Sequence, residues 1–135
     1  MAITILSAKK YAKKLKATIH RSGKLGFGEE TAHTLGLEQG KFARFAQDDE
    51  THVLYLIIDN CGSEDAFSFK EVSGFYNLAT RQLFDALGID YENNSVMFDL
   101  IRQSSLDDDL QGQVYFMKQR PTKNKEKKNY EIIEP

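Results

Sequence analysis

The chain has 135 residues, 41% of them hydrophobic and 28% charged, enough apolar material for one domain or for two small repeats sharing a core. A single cysteine, Cys61, excludes an internal disulfide framework and a thiolate zinc site, and the longest apolar run, Val53–Ile58, is far short of the roughly 18 residues of a membrane span. The net charge of -2 hides a segregation: residues 1–28 carry seven Lys/Arg and no acid, residues 29–110 carry five bases and seventeen acids, and residues 111–135 carry six bases and three acids.

The N-terminus places its positive charges after its first apolar residues, the reverse of a secretory signal. With the lone cysteine, this gives the expectation of a soluble, cytoplasmic protein. Residues 1–14 read as a basic arm, in which Ser7 can cap a short helix from Ala8 to Leu15.

From there Leu15, Ala17 and Ile19 alternate with Lys16, Thr18 and His20, the period of a strand with one buried face. Ser22-Gly23 turns the chain, and Lys24–Phe27 is a short strand. Glu29 and Glu30 open a helix at the end where the dipole favours acids. Leu35 closes it, with Gly36 in the left-handed C-terminal position. Gly40 marks a turn. Lys41–Ala46 and His52–Asp59 read as strands joined by an acidic loop. Val53–Ile58 lacks polar alternation, which predicts cover on both faces.

After the polar connector 60–65 the order returns. Phe67 and Phe69 alternate with Ser68 and Lys70, Ser73-Gly74 turns, and Phe75–Leu78 is a short strand. Phe75 and Tyr76 are adjacent, so they cannot both face inward. Asn77 or Thr80 caps a helix with Leu83, Phe84 and Leu87 on its apolar face, and Gly88 ends it. Ser95–Arg102 and Gln113–Lys118 are strands. Their connector, Ser104–Gly112, contains Asp107-Asp108-Asp109 and reads as a solvated loop. From Pro121 a charged tail without apolar period is expected to be disordered.

The two spans 15–60 and 66–120 thus share one order: strand, Ser-Gly turn, strand, helix, Leu-Gly, strand, acidic loop, strand. Ser22-Gly23 answers Ser73-Gly74, and Leu35-Gly36-Leu37 answers Leu87-Gly88-Ile89. This predicts an internal duplication, each half too small to stand alone.

Gly23-Lys24-Leu25, Phe27, and Leu35-Gly36-Leu37-Glu38-Gln39-Gly40, followed by strands around Phe42 and Leu54, resemble the swapped-hairpin domains of AbrB- and MazE-type transition-state regulators and antitoxins. The resemblance covers about residues 15–58. Phe27-Gly28 stands where that family has Ile-Pro. The resemblance implies an α+β, strand-rich fold: a duplicated swapped-hairpin or cradle-loop β-barrel with one short helix per repeat. It exists as a pseudo-dimeric monomer or as a homodimer. It also implies duplex-DNA binding through basic residues of the first strands and their turn.

The basic N-terminal segment independently suits phosphate contact, with Tyr11 and His20 placed to stack or bond. The expected function is therefore non-enzymatic nucleic-acid binding, in transcriptional regulation, through Lys14, Lys16, Arg21 and Lys24 on one side only. Two alternatives stand beside it. One is a protein-interaction module with an acidic surface. The other is a single-strand binder, although sheet-and-helix modules of that kind place the helix after all four strands. No cofactor is implied. The contiguous aspartates lack calcium-loop spacing, Gly23, Gly26 and Gly28 lack the dinucleotide or P-loop spacing, and His20, His33 and His52 lack a metal-binding pair. No acid-base or nucleophile constellation suggests an enzyme.

Overall fold

The computed structural model describes residues 2–6, 8 and 14–121, and the backbone of 123–124. Alternation in Leu15–Ile19 (β1) does what its period predicts: Ala17 and Ile19 are buried while Lys16 is exposed. Leu25–Phe27 (β2) follows a turn in which Gly23 has φ +88°. Helix α1, Glu29–Leu35, ends at Gly36 with φ +68°, as its sequence requires. Phe42–Gln47 (β3) and Leu54–Asp59 (β4) form a hairpin.

The second half begins with Phe67–Ser68 (β5) and Lys70–Val72 (β6), separated by Phe69 alone. Ser73 (φ +53°) and Gly74 (φ +86°) make a two-residue turn into Phe75–Leu78 (β7). Two successive positive φ values match the right-handed twist of a hairpin. Helix α2 (Arg81–Ala86), Asn94–Arg102 (β8) and Gln113–Gln119 (β9) complete the order.

All pairings are antiparallel, in the order β5-β3-β4-β9-β8-β1-β2-β7-β6. Because β5 and β6 are neighbours in sequence, the two ends of this path lie next to each other. The sheet is a nearly closed barrel. Exchanging β1 with β5–β6, β2 with β7, β3 with β8 and β4 with β9 leaves the circular order unchanged. Each hairpin is flanked on both sides by strands of the other half: β1 by β8, β2 by β7, β3 by β5 and β4 by β9.

The core fills the barrel. Phe84 of α2 is completely buried and meets Phe45 edge-on at 6.2 Å, and Phe45 meets Phe67 at 5.5 Å. Phe27 meets Phe69 at 5.4 Å. Phe67 in β5 and Phe69 at the β5–β6 break thus both turn inward. Burying a side chain of this size contributes about 1.5–3 kcal/mol.

Several expectations need correction. Thr80 precedes α2 but makes no side-chain cap. Its hydroxyl, completely buried, accepts the Leu25 N–H at 3.0 Å and donates to the Gly23 carbonyl at 3.0 Å, tying the two halves together. The Ser104–Gly112 connector, solvated as expected, is not an irregular loop. It forms a 3-10 turn at Ser104–Leu106 and a short helix α3, Asp107–Leu110. Arg44 pins it by donating to the carbonyls of Leu110 and Gln111, each at 2.8 Å, while pairing with Asp59 at 3.0 Å. Gly112 passes so close to the outer face of β4 that a Cβ there would meet Ile57 Cγ2 at 2.6 Å. Ile57 is buried as a result, which accounts for the apolar run of β4. At the C-terminus, Lys123 and Asn124 form a two-residue strand β10 on β8, where a disordered tail was expected. Most of the expected Ala8–Leu15 helix lies outside the described residues, and its last residue, Leu15, already begins β1. The rest of the basic tail also lies outside them.

Candidate nucleic-acid interface

Residues on a strand alternate between faces, so the outer wall of the barrel follows from register. Thr18 pairs with Gly26, Gly26 with Asn77, and Asn77 with Lys70. One pleat further along the same registers, Lys16 stands opposite Gly28, beyond which come Phe75 and its partner Val72. The middle strand of these rows therefore has a glycine at each of the two positions, Gly26 in β2 and Gly28 just after it. The result is a trough of about 520 Å³, lined by Lys16, Thr18, His20, Lys24, Phe75 and Asn77 among others. Its walls are two strand spacings apart, about 10 Å.

The two glycines play different parts. His20 lies over Gly26, whose missing Cβ would fall 2.1 Å from the imidazole Nε2. Gly28 has nothing within 4 Å of that position and leaves the floor open. Phe75 forms the far wall at 55% exposure, with Val72 beside it at 51%. The adjacent pair resolves as alternation demands: Phe75 faces out, and Tyr76 packs against the core.

Of the four basic residues singled out in the sequence, Lys16 and Lys24 line the trough. Lys24 stands opposite His20, so the two lysines are four residues apart along the trough, about 13 Å, and one strand apart across it. No carboxylate lines it, and neither lysine has an ion-pair partner among the described residues. Arg21 is exposed in the adjoining turn, outside the lining set. Lys14 is exposed and also outside the lining set, its charge acting on the Asp99 carboxylate. Arg120 binds that carboxylate at 2.7 Å and holds it below the ordinary range, with Lys14 and Lys118 adding to the effect. Tyr11 lies outside the described residues.

Elsewhere, Asp48 accepts the Glu50 and Thr51 N–H groups at 2.8 and 3.0 Å, which lowers its pKa and organises the β3–β4 loop. His33 is exposed, 3.6 Å from Glu38, and Cys61 is a free, exposed thiol. Among the described residues, no group of three or more His, Cys, Asp or Glu is placed to hold a metal. No helix among them is long and apolar enough to cross a membrane.

Reading the sequence strand by strand missed the glycine floor and the contribution of Val72 and Asn77. The signal was present in Gly26 and Gly28, two glycines at strand spacing, but their meaning depends on which strands lie on either side. No family model, no curated protein and no solved structure matches this chain.

Proposed function

We propose that this protein binds nucleic acid, without catalysis, through the outer face of β1 and β2. The observation that carries the reading is the pair Lys16 and Lys24, both in one trough that no carboxylate lines and both without an ion-pair partner among the described residues. Unpaired cations along a surface channel suit a polyanion, because each phosphate they neutralise releases condensed counterions. Arg21, in the turn at one end, extends the positive strip. Lys14 contributes less, being outside the lining of the trough. The resemblance of residues 15–58 to AbrB- and MazE-type domains supports the same surface and suggests transcriptional regulation as its setting. Filter binding of the full chain to DNA over a range of salt tests the reading. Affinity falling steeply with salt is expected, and no binding at low salt overturns it.

We infer further that the barrel is a tandem duplication of a swapped-hairpin unit, closed within one chain. The unchanged strand order under exchange of the halves supports this. So do the two turn glycines. Gly23 abuts Arg81 at the start of α2, and Gly74 abuts Glu29 at the start of α1. Each turn therefore packs on the other half's helix. A monomer by sedimentation equilibrium is expected, and an obligate dimer would count against closure within the chain.

A further inference from the structure

The geometry points to a single-stranded segment as the occupant of the trough, one unpaired base stacking on Phe75 while the phosphates follow Lys16 and Lys24. This rests on the nucleic-acid reading above and narrows it to the form of the strand.

Three features carry it. The first is an aromatic ring that the core does not use. Phe75 is 55% exposed on the outer wall, although the barrel interior has ample aromatic packing of its own. An aromatic face beside a cationic channel offers base stacking, which every base can supply and which needs the base out of a duplex. The second is the floor. Gly28 leaves the strand between the walls bare, and over Gly26 the floor is the His20 ring, so a chain can lie against backbone beside Lys16 and Phe75 and against the imidazole further along. The third is the narrowness of the positive strip. Asp99 faces Lys16 across β1–β8 and is already held by Arg120. Glu71 accepts the Gly74 N–H at 3.1 Å, and Glu29 lies against the same glycine. Acids thus stand beyond the β1 wall, at Asp99, and at the Gly74 end, at Glu71 and Glu29. A single backbone fits between them, whereas the second strand of a duplex would be carried out over carboxylates. A duplex also keeps its bases stacked on one another and has no free face for Phe75.

The test is fluorescence anisotropy of one labelled mixed-sequence DNA oligonucleotide, alone and annealed to its complement, against the full chain. The single strand is expected to bind more tightly. Phe75→Ala is expected to weaken single-strand binding by about five- to 150-fold and to leave duplex binding unchanged, while Phe75→Trp restores the single-strand affinity. A urea midpoint for each variant equal to that of the wild type is expected, since the ring is outside the core. Duplex bound as tightly as single strand, or single-strand binding indifferent to Phe75→Ala and Phe75→Trp alike, overturns this inference and leaves nucleic-acid binding standing. Failure of both forms to bind at low salt overturns both.

Discussion

Arg102 and Asp107 meet side by side, Nη1 to Oδ1 and Nη2 to Oδ2, both at 2.6 Å. Asp107 also accepts the Val114 N–H at 3.2 Å. One carboxylate therefore fastens the start of α3 to the end of β8 and the beginning of β9. The first of three neighbouring aspartates is a clasp.

That clasp has a pH signature. The Arg102 guanidinium, and after it the Val114 N–H, hold the Asp107 carboxyl below its ordinary value of 3.8. A lowered folded-state pKa means the unfolded chain takes up the proton first. The stabilisation is complete above the ordinary value and is lost as pH falls through the lower, folded one. Asp107→Asn should therefore lower the thermal midpoint at neutral pH. Its deficit relative to the wild type should shrink as pH drops below 3.8. A deficit that stays constant into acid would exclude the ionised carboxylate of Asp107 as its source. Asp99, lowered by Arg120, has the same sign, so the difference between the two proteins is the quantity to follow.

Thr80 provides a test of the join between halves. Thr80→Val keeps the shape but strands the Leu25 N–H and the Gly23 carbonyl in a dry environment. A loss of about 1–3 kcal/mol in urea unfolding is expected. Thr80→Ser retains the hydroxyl and should lose less. Equal stability of valine and wild type would mean that both backbone groups find other partners.

Gly23 and Gly88 separate backbone strain from crowding. Both have positive φ, +88° and +73°. A Cβ at Gly88 meets nothing within 4 Å, whereas at Gly23 it lands 2.7 Å from Arg81 Cβ. Gly88→Ala should cost about 1–2 kcal/mol, the left-handed penalty alone. Gly23→Ala should cost more by urea denaturation, because the turn must also move off α2.

The lysines divide by their neighbours. Lys16→Gln and Lys24→Gln should each reduce the log-log salt slope of single-strand binding by about 0.7. Lys14→Gln should reduce it less, since Lys14 lies outside the lining of the trough. Equal slopes for all three would remove the distinction between trough and rim.

Element order was legible in the sequence because it depends on local chemistry. Period two in Leu15–Ile19, acids at Glu29 and Glu30, and glycines after Leu35 and Leu87 each act within a few residues. What lay beyond reach depends on distant pairing. Ile57 is buried from outside because Gly112 passes over it, and nothing near Ile57 in sequence announces that. Thr80 has the residue type of a helix cap, yet Gly23 and Leu25 take its hydroxyl. The trough shares this property: Lys16, Gly26 and Phe75 come from three strands, and only the register of β1, β2 and β7 sets them in rows.

The interleaving of hairpins also has a consequence for synthesis. Leu15 of β1 pairs with Leu100, and Leu54 of β4 with Met117. When the first half has left the ribosome, its two hairpins have no strand beside them except each other's poor substitutes. Their edges stay open until β8 and β9 emerge, several seconds later at ordinary elongation rates of about 5–20 residues per second. Closure of the barrel thus waits for β8 and β9 and is dominated by long-range pairing, the slow regime for small proteins. A chain stopped before Gln113 would be left with two exposed strand edges, β4 and β8, and would be a target for proteases and for self-association rather than a smaller version of the protein.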